Sequence, residues 1–294
     1  MDNDLGEIRQ ILTDLKLPTG STKIPRVEVA QGEIPPSALA YLYHPMVNLV
    51  VSGTKTLRVG TQHYHYSPSH YFVLSLDIPA TGVVSPGPDG QAYQAVALRL
   101  DSGILSELVH SRTELAEVQD PAEAPAFGVA VAQPEFVNAW LRMVRLLTRP
   151  GEVPIFAHLY EQEILLHVIL GPQGHLLRAL AEPSGAVRQI QSALGRIQHD
   201  YREPIDMKAL AAAVGMSTST FHRHFQKVAG ISPLQYQKRL RLLAARQTLV
   251  TTGRTATEVA YEMGYQSLSQ FSREFRQFFG QTPGQRQPKG AVAK

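Results

Sequence analysis

Apolar residues recur in two rhythms along the chain. Between residues 24 and 100 they come in short runs, 49–60, 62–68, 71–76 and 93–100, rich in Val, Tyr, Phe and Leu and separated by Gly, Pro and Ser. That is the pattern of β-strands joined by turns, and its spacing suits a sandwich or a small barrel. Past residue 102 the apolar positions move to the three-and-four step of helices over 103–110, 134–148 and 153–170. Phe136, Trp140, Met143, Val144 and Leu147 form one stripe, and Phe156, Leu159, Ile164, Leu165 and Val168 another, as expected of helices packed on a β-rich core. Residues 120–125, rich in Ala, Pro and acids, read as a loop, and Glu182-Pro-Ser-Gly185 as an interdomain hinge.

The C-terminal third contains an internal repeat. Ala211-x-x-x-Gly215-x-Ser217, Phe221-x-Arg223-x-Phe225 and Gly230-x-Ser232-Pro233 return as Ala260, Gly264 and Ser267, Phe271-x-Arg273-x-Phe275 and Gly280-x-Thr282-Pro283. The offset is 49 residues at Gly264 and 50 from Phe271 onward, so the added residue falls in a turn. Each copy reads as a short Ala-rich helix (207–214; 256–263), a glycine that stops it, a serine that restarts it, and a second helix ended by glycine and proline. This is helix-turn-helix grammar. Phe221, Phe225 and Val228, and Phe271, Phe275 and Phe278, mark the core face of each second helix. Ser219, His222, Arg223 and Gln226, and Ser269, Ser272, Arg273 and Arg276, mark the opposite face. Arginine can grip guanine O6 and N7 with two donors, and Ser, His or Gln can make single contacts to bases or phosphates. Residues 233–252 read as a connecting helix, with Leu234, Leu240, Leu243 and Ala244 for packing and Lys238, Arg239, Arg241 and Arg246 exposed.

Charge sharpens this division. The net +3 of the 294 residues conceals 12 Lys+Arg against 19 Asp+Glu up to residue 187, and 16 against 6 beyond it. A basic module on an acidic one points to an anionic partner, nucleic acid first and an acidic membrane second. The longest apolar stretch, 164–170, is interrupted by His167 and far short of the roughly 20 residues of a membrane span. The acidic N-terminus lacks the basic-then-apolar pattern of a secretory signal, so the expected location is the cytoplasm. With no cysteine, disulfide scaffolds, zinc fingers and thiol nucleophiles are excluded.

The repeated motifs, joined by a helix, resemble the paired helix-turn-helix domain of the AraC/XylS transcription regulators over about residues 186–288. The resemblance implies two recognition helices, Thr218–Ala229 and Leu268–Phe279, entering successive major-groove segments on one face of the duplex. The positions matching the family's base readers are Ser219, His222 and Arg223, then Leu268, Ser269, Ser272 and Arg273. Leu268 departs from the polar expectation and would touch a thymine methyl or not reach DNA. Ser217, Lys227, Arg239, Arg246, Ser267 and Arg276 are expected at phosphates.

Residues 24–180, including Asp77-Ile-Pro-Ala-Thr-Gly and Leu98-Arg-Leu-Asp101, resemble the N-terminal domain of one branch of the same regulators. That likeness implies a cupin-like β-barrel that senses a small molecule, and a helix offering an apolar stripe for antiparallel self-association as a homodimer. His63-Tyr-His65 invites comparison with the His-x-His of metal-binding cupins, but no Glu follows closely and the family pattern turns Tyr64 and Tyr66 to the core, leaving both histidines outside. No metal or cofactor is expected. Tyr64, Tyr66, Tyr71 and Tyr93 are the candidate effector-pocket groups, weighed against a plain core role.

The fold expected is therefore α+β: a cupin-like barrel with flanking helices over residues 1–182, and an all-α domain with two helix-turn-helix motifs over 183–294. The function expected is a non-enzymatic, effector-responsive regulator that binds double-stranded promoter DNA and works with RNA polymerase. Effector-independent DNA binding, or a cupin-type metalloenzyme carrying a DNA-binding appendage, are the rival readings.

Overall fold

The computed structural model describes residues 1–35, 39–88, 90–111, 124–183 and 185–284. Its β-rich part is built from ten antiparallel strands in two sheets: β1 (Gly20–Ser21), β2 (Val27–Gln31), β3 (Tyr41–Tyr43), β4 (Met46–Ser52), β5 (Thr54–Val59), β6 (Gln62–Tyr66), β7 (His70–Leu74), β8 (Ile78–Ser85), β9 (Gln94–Arg99) and β10 (Phe127–Val131). One sheet runs β1-β2-β9-β4-β7-β10 and the other β3-β8-β5-β6. The architecture is a cupin-like sandwich of two sheets, with no closed ring of strands among the described residues.

Alternation decides what each face meets. Along β4, Val47, Leu49 and Val51 join the helix-side core, whereas Met46 and Val50 join the core between the sheets. Both faces of this central strand are covered, so it reads as an apolar run interrupted only by Asn48 before it ends at Ser52. The helix layer consists of α1 (Asp2–Leu15), α2 (Ser102–His110), α3 (Pro134–Arg145), α4 (Val153–Ile169) and α5 (Gly174–Ala181). In α1, Leu5, Ile8 and Leu12 recur at helical spacing and are buried, and Arg145 of α3 holds Glu7 by paired hydrogen bonds of 2.6 and 2.8 Å. Phe136, Trp140 and Val144 of α3 and Ile164, Leu165 and Val168 of α4 are buried as their stripes require. Buried Glu161 of α4 accepts from Arg26 at 2.9 Å, tying the helix layer to β2. Ile155 and Leu159, on the outer side of α4, remain exposed at 64% and 53%; Leu159 therefore does not pack on the sheet.

The α-helical part follows with α6 (Gly185–His199), α7 (Met207–Ala213), α8 (Thr218–Ala229), α9 (Pro233–Thr252), α10 (Ala256–Glu262) and α11 (Leu268–Phe279). Most of the expected 120–125 loop, and Ser184 of the expected hinge, lie outside the described residues. The core between the sheets does not stop at the sandwich. It continues through Ala126 and Phe127 into Phe221, Phe225, Val228, Ile231 and Tyr236 of the first helix-turn-helix.

Candidate nucleic-acid interface

Each helix of the two repeats begins and ends where its sequence demands. Asp206 caps α7 and Thr255 caps α10, the latter in a reciprocal capping box with Glu258. Ser217 accepts from the Thr220 amide at 3.3 Å and Ser267 from the Gln270 amide at 3.4 Å, which starts α8 and α11. Caps of this kind contribute about 1 kcal/mol each. Gly215 and Gly264, at φ of 72° and 77°, make the turns, and Gly230 and Gly280, at 72° and 75°, end the second helices. Side chains other than glycine resist that left-handed conformation.

Burial divides the faces of α8 and α11. Phe221, Phe225 and Val228, and Phe271, Phe275 and Phe279, are buried; Phe278, expected on that face, is half-buried, because Phe279 takes the inward place. On the other side Ser219, Arg223, Leu268, Ser269 and Arg273 are exposed, and His222 and Ser272 are half-exposed. Ser217, Lys227, Ser267 and Arg276 are exposed as well. Both outer faces are open to a partner. They are held on the 20-residue α9, which at 1.5 Å per residue is about 30 Å long, close to the roughly 34 Å of one duplex turn.

Three of the connector's four cations, Arg239, Arg241 and Arg246, depart from the exposed positions expected of them, and Lys238 keeps its own. Lys238 is exposed, but its ammonium lies 2.7 Å from Glu274 of α11. Glu274 also accepts from Tyr265 at 3.0 Å and Gln270 at 3.2 Å. Burial pulls this carboxyl upward, yet those hydrogen bonds outweigh it and hold it below its ordinary pKa. Arg241 is half-buried and donates to the carbonyls of Tyr201, Arg202, Glu203 and Gly264, clamping the α6–α7 loop to the second turn. Arg239 donates to the Pro79 carbonyl of β8 at 2.9 Å and lies over Phe278; burial pushes its guanidinium down to about 10. Arg246 is only 9% exposed and stacks over Phe279. Helix periodicity turned these two inward, because the sandwich and the second repeat occupy the sides of α9 that a free helix would show to water.

The sandwich meets the first repeat directly. The Ala126 amide donates to the Val228 carbonyl at 2.9 Å. The Tyr236 hydroxyl donates to the Asp77 carbonyl at 3.0 Å, and Gln198 donates to both the Asp77 carboxylate and the Tyr236 oxygen. Gly60, in the β5–β6 turn, approaches Gly230 so closely that a Cβ there would stand 2.6 Å from the Gly230 carbonyl oxygen.

The four candidate tyrosines do not form one group. Tyr66 and Tyr93 are fully buried between the sheets. Tyr64, on the same face of β6, sits half-buried at the rim against Phe127. Tyr71 corrects the sequence reading: strand alternation sends it to the opposite face of β7, where it packs on Phe136 of α3 and is pushed up to about 12 by burial. In its place the interior holds Tyr41, Tyr43 and Lys55, none of which the sequence reading singled out. The signal existed for Lys55, since it shares the inward face of β5 with Leu57 and Val59. His63 and His65 point outward as expected, His65 lying 3.0 Å from Thr56, and no cluster of three metal-ligating side chains occurs among the described residues.

Two helix-turn-helix units with open arginine-bearing faces, the first packed on a two-sheet sandwich, define the architecture of a DNA-binding transcription regulator. Comparison with known proteins agrees. Residues 23–176 match the family described as AraC-type transcriptional regulator N-terminus, and residues 210–287 match a helix-turn-helix domain. The chain belongs to the AraC-type transcriptional regulators. It is 31% identical over 123 residues to the HTH-type transcriptional activator RhaS of Pectobacterium carotovorum, covering 42% of this chain and 43% of that one. It is 37% identical over 95 residues to the HTH-type transcriptional regulator GbdR of Pseudomonas aeruginosa, covering 32% of this chain and 26% of that one. The chain thus spans less than half the length of these curated relatives. In fold it is similar to ToxT of Vibrio cholerae bound to an unsaturated fatty acid, with a TM-score of 0.55, 10% identity and coverage of 90% and 91% of the two chains. A second ToxT structure gives a TM-score of 0.56 at 13% identity, covering 87% and 95%. No single helix among the described residues is long and apolar enough to cross a membrane.

Proposed function

We propose that this chain is a sequence-specific, non-enzymatic transcription regulator in the cytoplasm, in which residues 1–182 sense a small molecule and residues 183–294 bind double-stranded promoter DNA. The observation that carries the reading is the pair of exposed helix faces, with Arg223 and Arg273 at equivalent places, mounted on one rigid connector. Ser219, His222, Arg223, Leu268, Ser269, Ser272 and Arg273 face the bases, while Ser217, Lys227, Ser267 and Arg276 meet phosphates. Arg239 and Arg246 hold the helices together instead. Small-molecule control is supported by the continuous core from the sandwich interior to Phe225, and by the ligand named for the ToxT structure of similar fold. An effector that favours one arrangement of this core over another shifts how the two helices meet DNA. Exposed Ile155 and Leu159 provide the stripe for a homodimer, and contact with RNA polymerase follows from the family's role.

Binding of the full chain to fragments recovered by genome-wide mapping tests this. Arg223→Ala and Arg273→Ala should each lose about 1–3 kcal/mol at a specific site and relax sequence preference, and affinity should fall steeply with salt. Unchanged binding in both variants, or a flat salt response, defeats the readout assignment.

A further inference from the structure

A cavity of about 500 Å³ lies where the sandwich, the connector and the two repeats come together. Thr61 of the β5–β6 hairpin and Gln226 of α8 are among its walls, and its charged groups are Arg58 of β5, Lys238 and Arg239 of α9, and Arg273 and Glu274 of α11. Lys238 and Glu274 stand 2.7 Å apart and answer each other. Three guanidiniums are left over. Arg58 donates through Nε to the Thr81 hydroxyl at 3.2 Å and Arg239 to the Pro79 carbonyl at 2.9 Å. Among the described residues none of the three forms an ion pair. Burial lowers the pKa of Arg239, and the charge of Arg58 lowers it further, so the two guanidiniums are near neighbours. Like charges that converge on one cavity repel unless an anion lies between them.

The place of the cavity identifies the anion. Gln226 belongs to the polar face of α8 and Arg273 to that of α11, and both are exposed. Arg273 also lines a surface groove with Ser272, Arg276 and Gln277, so the cavity runs into the second polar face. A duplex that touches both faces must cross the interval between them, and Arg58 and Thr61 stand in that interval. What the duplex presents between two successive major-groove segments is its phosphate backbone. The Thr81 hydroxyl holds Nε of Arg58 and leaves its two terminal nitrogens without a partner among the described residues, the fork that grips a phosphate.

We infer that the sandwich itself takes part in DNA binding, with Arg58, aided by Thr61 of the same hairpin, holding a backbone phosphate of the duplex between the segments met by α8 and α11. Arg239, fixed on the cavity wall, adds positive field behind it. This contact rests on the DNA-binding reading above and extends it to residues outside 183–294.

The test measures binding of the full chain to two fluorescent duplexes, one from a site recovered by genome-wide mapping and one of mixed sequence, over a series of salt concentrations. Arg58→Ala should weaken both about three- to tenfold and reduce the salt slope by about 0.9, the share of one phosphate. Its Tm should move by no more than about 2 °C, as for an exposed side chain. Arg58→Lys should restore most of the affinity, and Arg58→Glu should weaken it beyond Arg58→Ala. Because the chain has no cysteine, Thr61→Cys offers a single thiol, and an iron chelate attached there should cut bound DNA between the two contacted segments. Calorimetry with inorganic phosphate and with pyrophosphate identifies a free anion as the occupant. The inference is overturned if Arg58→Ala binds DNA as tightly as the wild type or more tightly, if its loss is confined to one of the two duplexes, or if the chelate cuts elsewhere or not at all. It is overturned equally if Arg58→Ala loses phosphate or pyrophosphate binding with its DNA affinity unchanged, which gives the cavity to a free anion. A wild type that binds neither duplex removes the DNA-binding reading along with the inference, whereas a wild type that binds them and an Arg58→Ala that binds them equally well removes only the hairpin contact.

Discussion

The two helix-turn-helix copies share a sequence pattern but not an environment. The first is built into the sandwich: Phe225 and Val228 belong to the same core as Leu57, Tyr66 and Phe72 between the sheets. A Cβ on Gly230 would meet Phe127 and Val59 at 3.1 Å, whereas Gly280 faces open space. The second copy has its own core around Phe271, Phe275 and Met263, to which the β-rich part contributes only Ala40 among the described buried residues. It rides on α9 and the Lys238–Glu274 and Arg241 links. Repetition in the sequence thus produces two like helix-turn-helix units, one joined to the sandwich through packed side chains and one through α9.

The largest test of this contrast is to empty each core in turn. Phe225→Ala and Phe275→Ala each remove a fully buried ring and should cost about 3–5 kcal/mol. Hydrogen exchange should show Phe225→Ala loosening β5, β6 and β7 along with α8, and Phe275→Ala loosening only α10 and α11. Equal spread in both would mean that the copies are coupled alike.

Lys55 sharpens the comparison from the side of the sandwich. In the unfolded chain its pKa is near the ordinary 10.5, and in the fold about 8. The unfolded state therefore binds the extra proton between those values, so stability rises with pH across that window and the penalty is full below it. Without ligand, Lys55→Met should be more stable than the wild type at pH 7 by up to about 3 kcal/mol, with the gap closing between pH 8 and 10.5. Denaturant titrations at pH 7 and 10 measure it; a pH-independent gap would remove the buried charge from the account.

The capping glycines come next. Gly280→Ala should cost about 1 kcal/mol for the left-handed conformation alone, and Gly230→Ala about 2 kcal/mol, because its new methyl also presses on Phe127 and Val59. Equal losses in thermal unfolding would argue that Gly230 is not pinned by the sandwich. The smallest effect belongs to His44, whose ring lies 2.8 Å from the same Asp77 that binds Gln198. Its hydrogen bond to Asp77 raises its pKa above 6.5 against the opposing desolvation. The stability it adds is present below pH 6.5 and fades as pH rises through the raised value. His44→Gln should flatten that slope in denaturant titrations, and an unchanged slope would assign it elsewhere.

The boundaries of the helix-turn-helix helices are almost wholly legible in the sequence, because caps act locally, whereas α1, α5 and α6 are not anticipated by it. Ser217, Gly230, Ser267 and Gly280 begin and end α8 and α11 at the residues their chemistry requires. The short or polar β2, β3, β8 and β10 carry weaker signals, since a strand is completed by neighbours distant in sequence. The polar faces of α8 and α11 follow from helical periodicity, and the base readers that the family resemblance implies all lie on that open side. The effector tyrosines do not, since Tyr71 takes the helix-side face of β7 while Tyr93, just before β9, is buried between the sheets.

Sequence alone determined that two glycine-capped helices of matching face would form, and most of the side chains that turn inward, Phe279 in place of Phe278 excepted, since those outcomes depend on contacts within a few residues. Tertiary structure alone decided that Arg239 and Arg246 are drawn inward, that the first copy is packed onto the sandwich, and that Lys55 ends between two sheets without a counter-charge. Burial is set by which surfaces meet, and surfaces that are not neighbours in sequence meet only once the chain has folded.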